Sequence, residues 1–221
     1  MWETYKNVVS APPSPIIPSR LPVMMLSGCN LFPHGLLPLH IFEPRYREML
    51  AEVLRQDRMF CIGTLTGPEN TESPGLSIHP ASAAGFLRAC VKQADGCSNL
   101  LLQGIQRIKL TDFHTDLPFV TAAVEVIPST SIEPAKTMRA MEEVRSLAFE
   151  LIESGQEVSG HVADYLLDLD DPEVLGDLVA YHFVRDPSER HPFLEEACVA
   201  SRLKMLSKSL EDRVLGKTVD E

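Results

Sequence analysis

The segment LPVMMLSGCNLFPHGLLPLHIFEPRYREML, residues 21–50, decides the fold, because its hydrophobic period changes within thirty residues. LPVMML, with Arg20 before it, is a short apolar run of strand length. SGCNLFPHG, punctuated by Gly28, Pro33 and Gly35, is a loop. LLPLHIF, 36–42, reads as a second strand. Glu43-Pro44 then opens a helix, since proline's fixed φ and missing N–H suit a first turn. Tyr46, Met49, Leu50, Val53 and Leu54 form its apolar stripe. Glu43 and Arg47 stand four apart, in the order that supports a helix.

Downstream, MFCIGTL, 59–65, is a continuous apolar run and reads as a buried strand, followed by the polar loop TGPENTESPG. Residues 85–93 alternate, with Leu87, Ala89 and Val91 on one side and Arg88 and Lys92 on the other. Asp95-Gly96 marks a hairpin, because that pair tolerates the positive φ of a tight turn. NLLLQG returns, and in the next piece Ile108 and Leu110 alternate with Arg107 and Lys109. PFVTAAVEVI, 118–127, is the last strand, with Val120, Ala122, Val124 and Val126 on one face. At Pro128 the period becomes helical: Met138, Met141, Val144, Ala148, Leu151 and Ile152 lie on one stripe. A break at Ser154-Gly155 and two Asp-Pro starts, Asp171-Pro172 and Asp186-Pro187, divide the remainder into helices. Strands first and helices afterwards predict an α+β fold. Its parts are a Pro-rich extended lead segment (1–18), a β-domain (19–128) and an α-helical domain (129–221).

Composition narrows the function classes. With 221 residues and 44% hydrophobic content, a core forms without metals or disulfides. No apolar run approaches the roughly 18 residues of a membrane span, and the first residues carry no signal-peptide pattern, so a cytoplasmic protein is expected. The five cysteines are scattered and never spaced Cys-x-x-Cys. Net charge is −11: residues 1–128 hold 10 Lys+Arg against 11 Asp+Glu, and residues 129–221 hold 10 against 20. Neither half has the basic excess of a nucleic-acid-binding domain, so no nucleic-acid partner is expected. Asp164, Asp168, Asp170, Asp171, Glu173 and Asp177 crowd together, but Pro172 interrupts any EF-hand pattern, and a solvated helix-to-helix turn is the preferred reading. The seven histidines form no H-E-x-x-H or Cys/His ligand set, and neither G-x-S-x-G nor G-x-x-x-x-G-K-[ST] occurs.

Three stretches in order carry a family resemblance. Leu31, Phe32 and Pro33, then Pro38, Leu39, Ile41, Phe42, Glu43, Arg45 and Tyr46, resemble the LFP turn and the P-L-x-I-F-E-x-R-Y motif that open the Lon protease N-terminal domain. GFLRACVKQADGCSNLLLQGIQRIKL, 85–110, resembles that family's hairpin, with Gly104 and Arg107 matching its G-x-x-R element. LGDLVAYHF and PFLEEACVASRLKML resemble its closing helices, with Leu194, Glu195, Arg202 and Leu203 in place. The resemblance covers roughly residues 20–215. It implies a PUA-like, partly open β-barrel or two-sheet part with one inserted helix, followed by a helical bundle. It also implies a non-catalytic module that recognises unfolded or partner polypeptides, without the ATPase and peptidase of the full protease. No catalytic residue, cofactor or metal is assigned.

The candidate polypeptide contacts are Leu31, Phe32, His34, Arg45 and Tyr46. For Phe32, core packing is preferred over client contact; for Arg45 and Tyr46, ordering the strand-to-helix junction is preferred over lining a groove. Two other classes are weighed: a PUA-like RNA-binding module, by fold analogy alone, and a hydrolase using an unrecognised serine or cysteine such as Cys61 or Cys90.

Overall fold

The computed structural model describes residues 16–66, 77–131, 133–155 and 160–216; the Pro-rich lead as far as residue 15 and most of the TGPENTESPG loop lie outside them. Six strands, β1 (Arg20–Ser27), β2 (Leu36–Ile41), β3 (Met59–Leu65), β4 (Ala81–Lys92), β5 (Ser98–His114) and β6 (Val120–Val126), form one mixed sheet, with helix α1 (Pro44–Arg55) between β2 and β3. The order is β2-β5-β4-β3-β1-β6, and β5 also meets β6. β1 and β3 run parallel, which the crossover through β2 and α1 permits; the other pairs are antiparallel. Residues 98–103 of the long β5 pair with β2, and its residues 108–114 pair with β6, so the sheet rolls into a partly open barrel.

The apolar run of β3 is continuous because both faces are buried. Met59 and Cys61 enter a cluster with Leu21, Val23, Ile108 and Leu110, whereas Phe60 and Ile62 enter the one beneath α1. Tyr46, Met49, Leu50 and Val53 supply α1's buried stripe, but Leu54 is exposed. Glu43 pairs with Arg45 (2.7 Å) instead of Arg47.

Two expectations for the hairpin fail for identifiable reasons. The register steps from Leu87↔Leu102 to Ala89↔Leu101, leaving Arg88 as an extra residue; the alternation inverts there. Cys90, not Val91, takes the side of Leu87, and Val91 is 61% exposed. The NLLLQG strand and its successor are one strand, because Gly104 lets the loop cross it. A Cβ on Gly104 would sit 1.9 Å from the Phe32 carbonyl oxygen. The loop is fastened there by His34 N–H to Gly104 O (2.8 Å) and Gly104 N–H to Gly35 O (2.9 Å).

Five helices follow: α2 (Pro134–Glu153), α3 (Gly160–Leu167), α4 (Pro172–Phe183), α5 (Pro187–Glu195) and α6 (Val199–Val214). Asp171 caps α4 by accepting the Glu173 N–H at 2.8 Å, and Asp186 caps α5 by accepting the Ser188 N–H at 2.7 Å, each ahead of a first-turn proline. Phe32, fully buried, belongs to the helical core with Met141, Val144, Phe183 and Leu203. The loop between β1 and β2 therefore inserts into the bundle.

The seam between sheet and bundle is ionic. Arg107 faces away from Ile108 and Leu110 as the alternation requires, but helices cover that face, and Arg107 is 1% exposed. Its guanidinium forks onto Asp177 of α4, Nη1 to Oδ2 at 2.8 Å and Nη2 to Oδ1, and Nη1 also reaches Glu173 at 3.3 Å. Arg202 of α6 joins through Glu173 (3.4 Å), Asp177 (3.9 Å) and the Glu196 carbonyl (3.0 Å), while the Ser129 hydroxyl donates to Glu173. Glu173 and Asp177 are thus seam residues and not members of a solvated turn; Asp164, Asp168, Asp170 and Asp171 are exposed, as that reading requires. Burial pushes the Asp177 carboxyl up from its ordinary value, and Arg107 and Arg202 pull it back.

Asp177→Asn should lower unfolding free energy by about 3–5 kcal/mol, because it removes the buried bidentate counter-charge and leaves two arginines sharing the half-buried Glu173. The double variant Arg107→Met/Asp177→Leu should lose less than either single one. Urea melts measure both; a single variant within about 1 kcal/mol of wild type would contradict the assignment.

Candidate functional site

A cleft of about 600 Å³ lies between α1, the start of β1 and the β5–β6 turn. Its floor is apolar: Leu21 and Pro22 from β1, Ala51 from α1, and Pro118 and Phe119 from the turn. Leu117, 51% exposed, stands at its mouth. The turn is fixed at its base by a bulge after Thr111, where Asp112 adopts φ 44° and pairs with Arg20 (2.5 Å). Hydrogen bonds from Arg20, then from His114, hold the Asp112 carboxyl below its ordinary value. On the opposite wall Glu52 is taken by Arg55 (2.6 Å), whereas Glu48 has no ion-pair partner among the described residues. An apolar floor with a charged rim suits an apolar side chain on a flexible chain.

None of the five candidates selected from the sequence lines this cleft. Leu31, Phe32 and Tyr46 are buried, which removes them from any accessible surface. Leu31 and Phe32 turn inward with the loop that Gly104 admits; the Tyr46 hydroxyl donates to the Met25 carbonyl (2.9 Å) and pins α1 to β1. His34 is half-buried at φ 65°, and Arg45 is exposed, lying 4.8 Å over the Tyr46 ring. Sequence reasoning misses the cleft residues because they come from three distant segments. Their one sequence signal is Leu117-Pro118-Phe119, apolar residues beginning inside a polar turn.

A second polar cluster sits where the bundle meets β3 and β4. The rings of His79 and His191 stack 3.4 Å apart and 5° from parallel, with Glu195 3.5 Å from His79. Asn30 donates to Thr64 Oγ1 (3.1 Å) and lies 3.4 Å from His191. Burial, and then the facing His79, push His191 down to about 4. Burial raises the Cys61 thiol to about 12, which disqualifies it as a nucleophile at neutral pH. Among the described residues no three His, Cys, Asp or Glu side chains are grouped to hold a metal ion, and no helix is long and apolar enough to cross a membrane.

Comparison with known proteins agrees with this architecture. Residues 20–212 match the ATP-dependent protease La (LON) substrate-binding domain. The chain is 25% identical over 199 residues to Lon protease of Desulfosudis oleivorans, covering 90% of this chain and 24% of that protein. It is 26% identical over 197 residues to Lon protease 2 of Thermus thermophilus, covering 89% and 24%. The chain thus spans about a quarter of the length of these curated relatives. Among solved structures, the N-terminal domain of Mycobacterium avium complex Lon protease superposes with a TM-score of 0.68 at 16% identity, covering 87% of this chain and 98% of that one. A Lon N-terminal domain protein from Xanthomonas campestris gives 0.60 at 19% identity, covering 85% and 96%.

The stacked histidines set a pH dependence. In the unfolded chain His191 takes a proton near 6.5, in the folded protein only near 4, so between these values the unfolded state binds more protons. Stability should therefore fall as pH drops from about 7 toward 4, and His191→Asn should flatten part of that fall. Melting temperature against pH measures this; identical slopes for both proteins would contradict it.

Proposed function

Because the chain belongs to the family of LON substrate-binding domains, we propose that it is a non-catalytic module that binds unfolded or partner polypeptides in protein quality control, through the cleft between α1 and the β5–β6 turn. The observation that carries this reading is the apolar floor of that cleft with Leu117 half-exposed at its mouth. An acidic chain has no general electrostatic hold on clients, so its grip is apolar, at about 25 cal/mol per Å² of surface removed from water. Residues 1–128, which form the cleft, have no basic excess, and residues 129–221 are acidic, which disfavours RNA as the ligand. The proposal includes a cytoplasmic location, supported by five free thiols.

A reduced, unfolded model protein should bind with an affinity that changes little between low and moderate salt, because apolar association is not screened. Leu117→Asp should weaken binding about tenfold or more while leaving the melting temperature in place, since the residue is half-exposed and carries little of the core. Fluorescence anisotropy titration measures both. No binding of unfolded protein, together with tight salt-sensitive binding of a specific RNA, would overturn the proposal.

A further inference from the structure

A second pocket, about 340 Å³, opens between the β1–β2 loop and helices α4 and α5, away from the cleft of α1. Arg190, Tyr181 and His182 line one side, and Leu36, Leu37 and Asn30 the other. The buried Arg107 and Arg202 each face a carboxylate at ion-pair distance. Arg190 is half-buried and, among the described residues, has none. Its Nε donates to the Val184 carbonyl at 2.7 Å, and its guanidinium carbon lies 5.9 Å over the Tyr181 ring. Neither Nη donates a hydrogen bond to a described residue, so the two-pronged edge that matches a carboxylate is uncommitted. Asp186 acts on Arg190 only from beyond ion-pair distance, so a half-buried cation keeps both Nη groups for an anion.

Asn30 closes the floor of the pocket: it is 1% exposed, and its Nδ2 is spent on Thr64 and the His191 ring. The pocket thus offers a cation for an anion and apolar walls in Leu36, Leu37 and Tyr181. One chemical group presents both: the C-terminal residue of a polypeptide with an apolar side chain, whose carboxylate and side chain branch from the same Cα. A phosphate dianion fits less well. His182 is held neutral by burial and by Arg190, leaving a single positive charge, and the net negative field opposes a dianion.

The geometry points to this pocket as a binding site for the free C-terminus of a polypeptide ending in an apolar residue, with Arg190 holding the carboxylate. The pocket shares no lining residue with the cleft of α1. The test is a titration of ¹⁵N-labelled protein, followed by NMR, with an acetylated tripeptide ending in leucine as the free acid, with the same peptide amidated, and with inorganic phosphate. The free acid should shift the resonances of Cys29, Asn30 and Leu37 and saturate, and the amide should bind about tenfold or more weakly. Arg190→Gln should abolish the difference, while Leu117→Asp should leave it unchanged, which separates this site from the cleft. Equal binding of acid and amide, stronger shifts from phosphate, or no shift from the free acid at millimolar concentration would each overturn the assignment. Were Arg190→Gln to unfold, the acid–amide comparison on the unaltered protein would decide alone.

Discussion

Everything in this fold is arranged around the ion pair between Arg107 and Asp177. Burying two charges is expensive, and the low-dielectric attraction offsets the cost best when the geometry is bidentate. That condition fixes α4 against the middle of β5, and through Glu173 and Arg202 it fixes α6 and the strand-to-helix connection at Ser129 as well. Three residues before Arg107, Gly104 lets the Phe32 carbonyl cross β5, and Phe32 then completes the helical core. The β1–β2 loop is consequently held from two sides. Its backbone bonds β5, its side chain fills the bundle, and its rim forms a wall of the Arg190 pocket.

Much of this order is legible in the amino-acid sequence. The stretch from Arg20 to Arg55 changes from strand to loop to helix in step with its apolar pattern, and both Asp-Pro pairs cap helices where expected. These features are local: a period, a cap and a turn depend on neighbours in sequence. What escapes a sequence reading depends on neighbours in space. Arg107 reads as one of two outward cations, and only the helices above β5 distinguish it from the exposed Lys109. The bulge at Arg88 carries no compositional mark, yet it inverts every side chain that follows in β4. Asp177 reads as one acid among six, although its partner lies seventy residues away. The candidate site is the least legible part, since motif residues such as Leu31, Phe32 and Tyr46 build the scaffold and the accessible cleft is assembled from less patterned positions.

The division of labour has a physical logic. Residues joining sheet to bundle are spent on packing and are unavailable to ligands; at the α1 cleft the core residues Leu21 and Phe119 meet more exposed positions such as Leu117 and Glu48. The two openings differ in kind, one an apolar trough with a charged rim, the other a smaller pocket whose guanidinium has no direct ion pair among the described residues. Substrate-binding domains of this family are parts of proteases about four times as long as the matched segment, so a binding surface on this scaffold is consistent with the shared fold.

The central claim, that unfolded polypeptide is held over the cleft of α1, is tested most directly by photo-crosslinking. A photoreactive phenylalanine analogue placed at Leu117 should capture an unfolded client in proportion to its occupancy. The same group at Phe149 of α2, also exposed and apolar, should capture little. Equal capture at both positions, or capture at Phe149 alone, would contradict the assignment of the cleft.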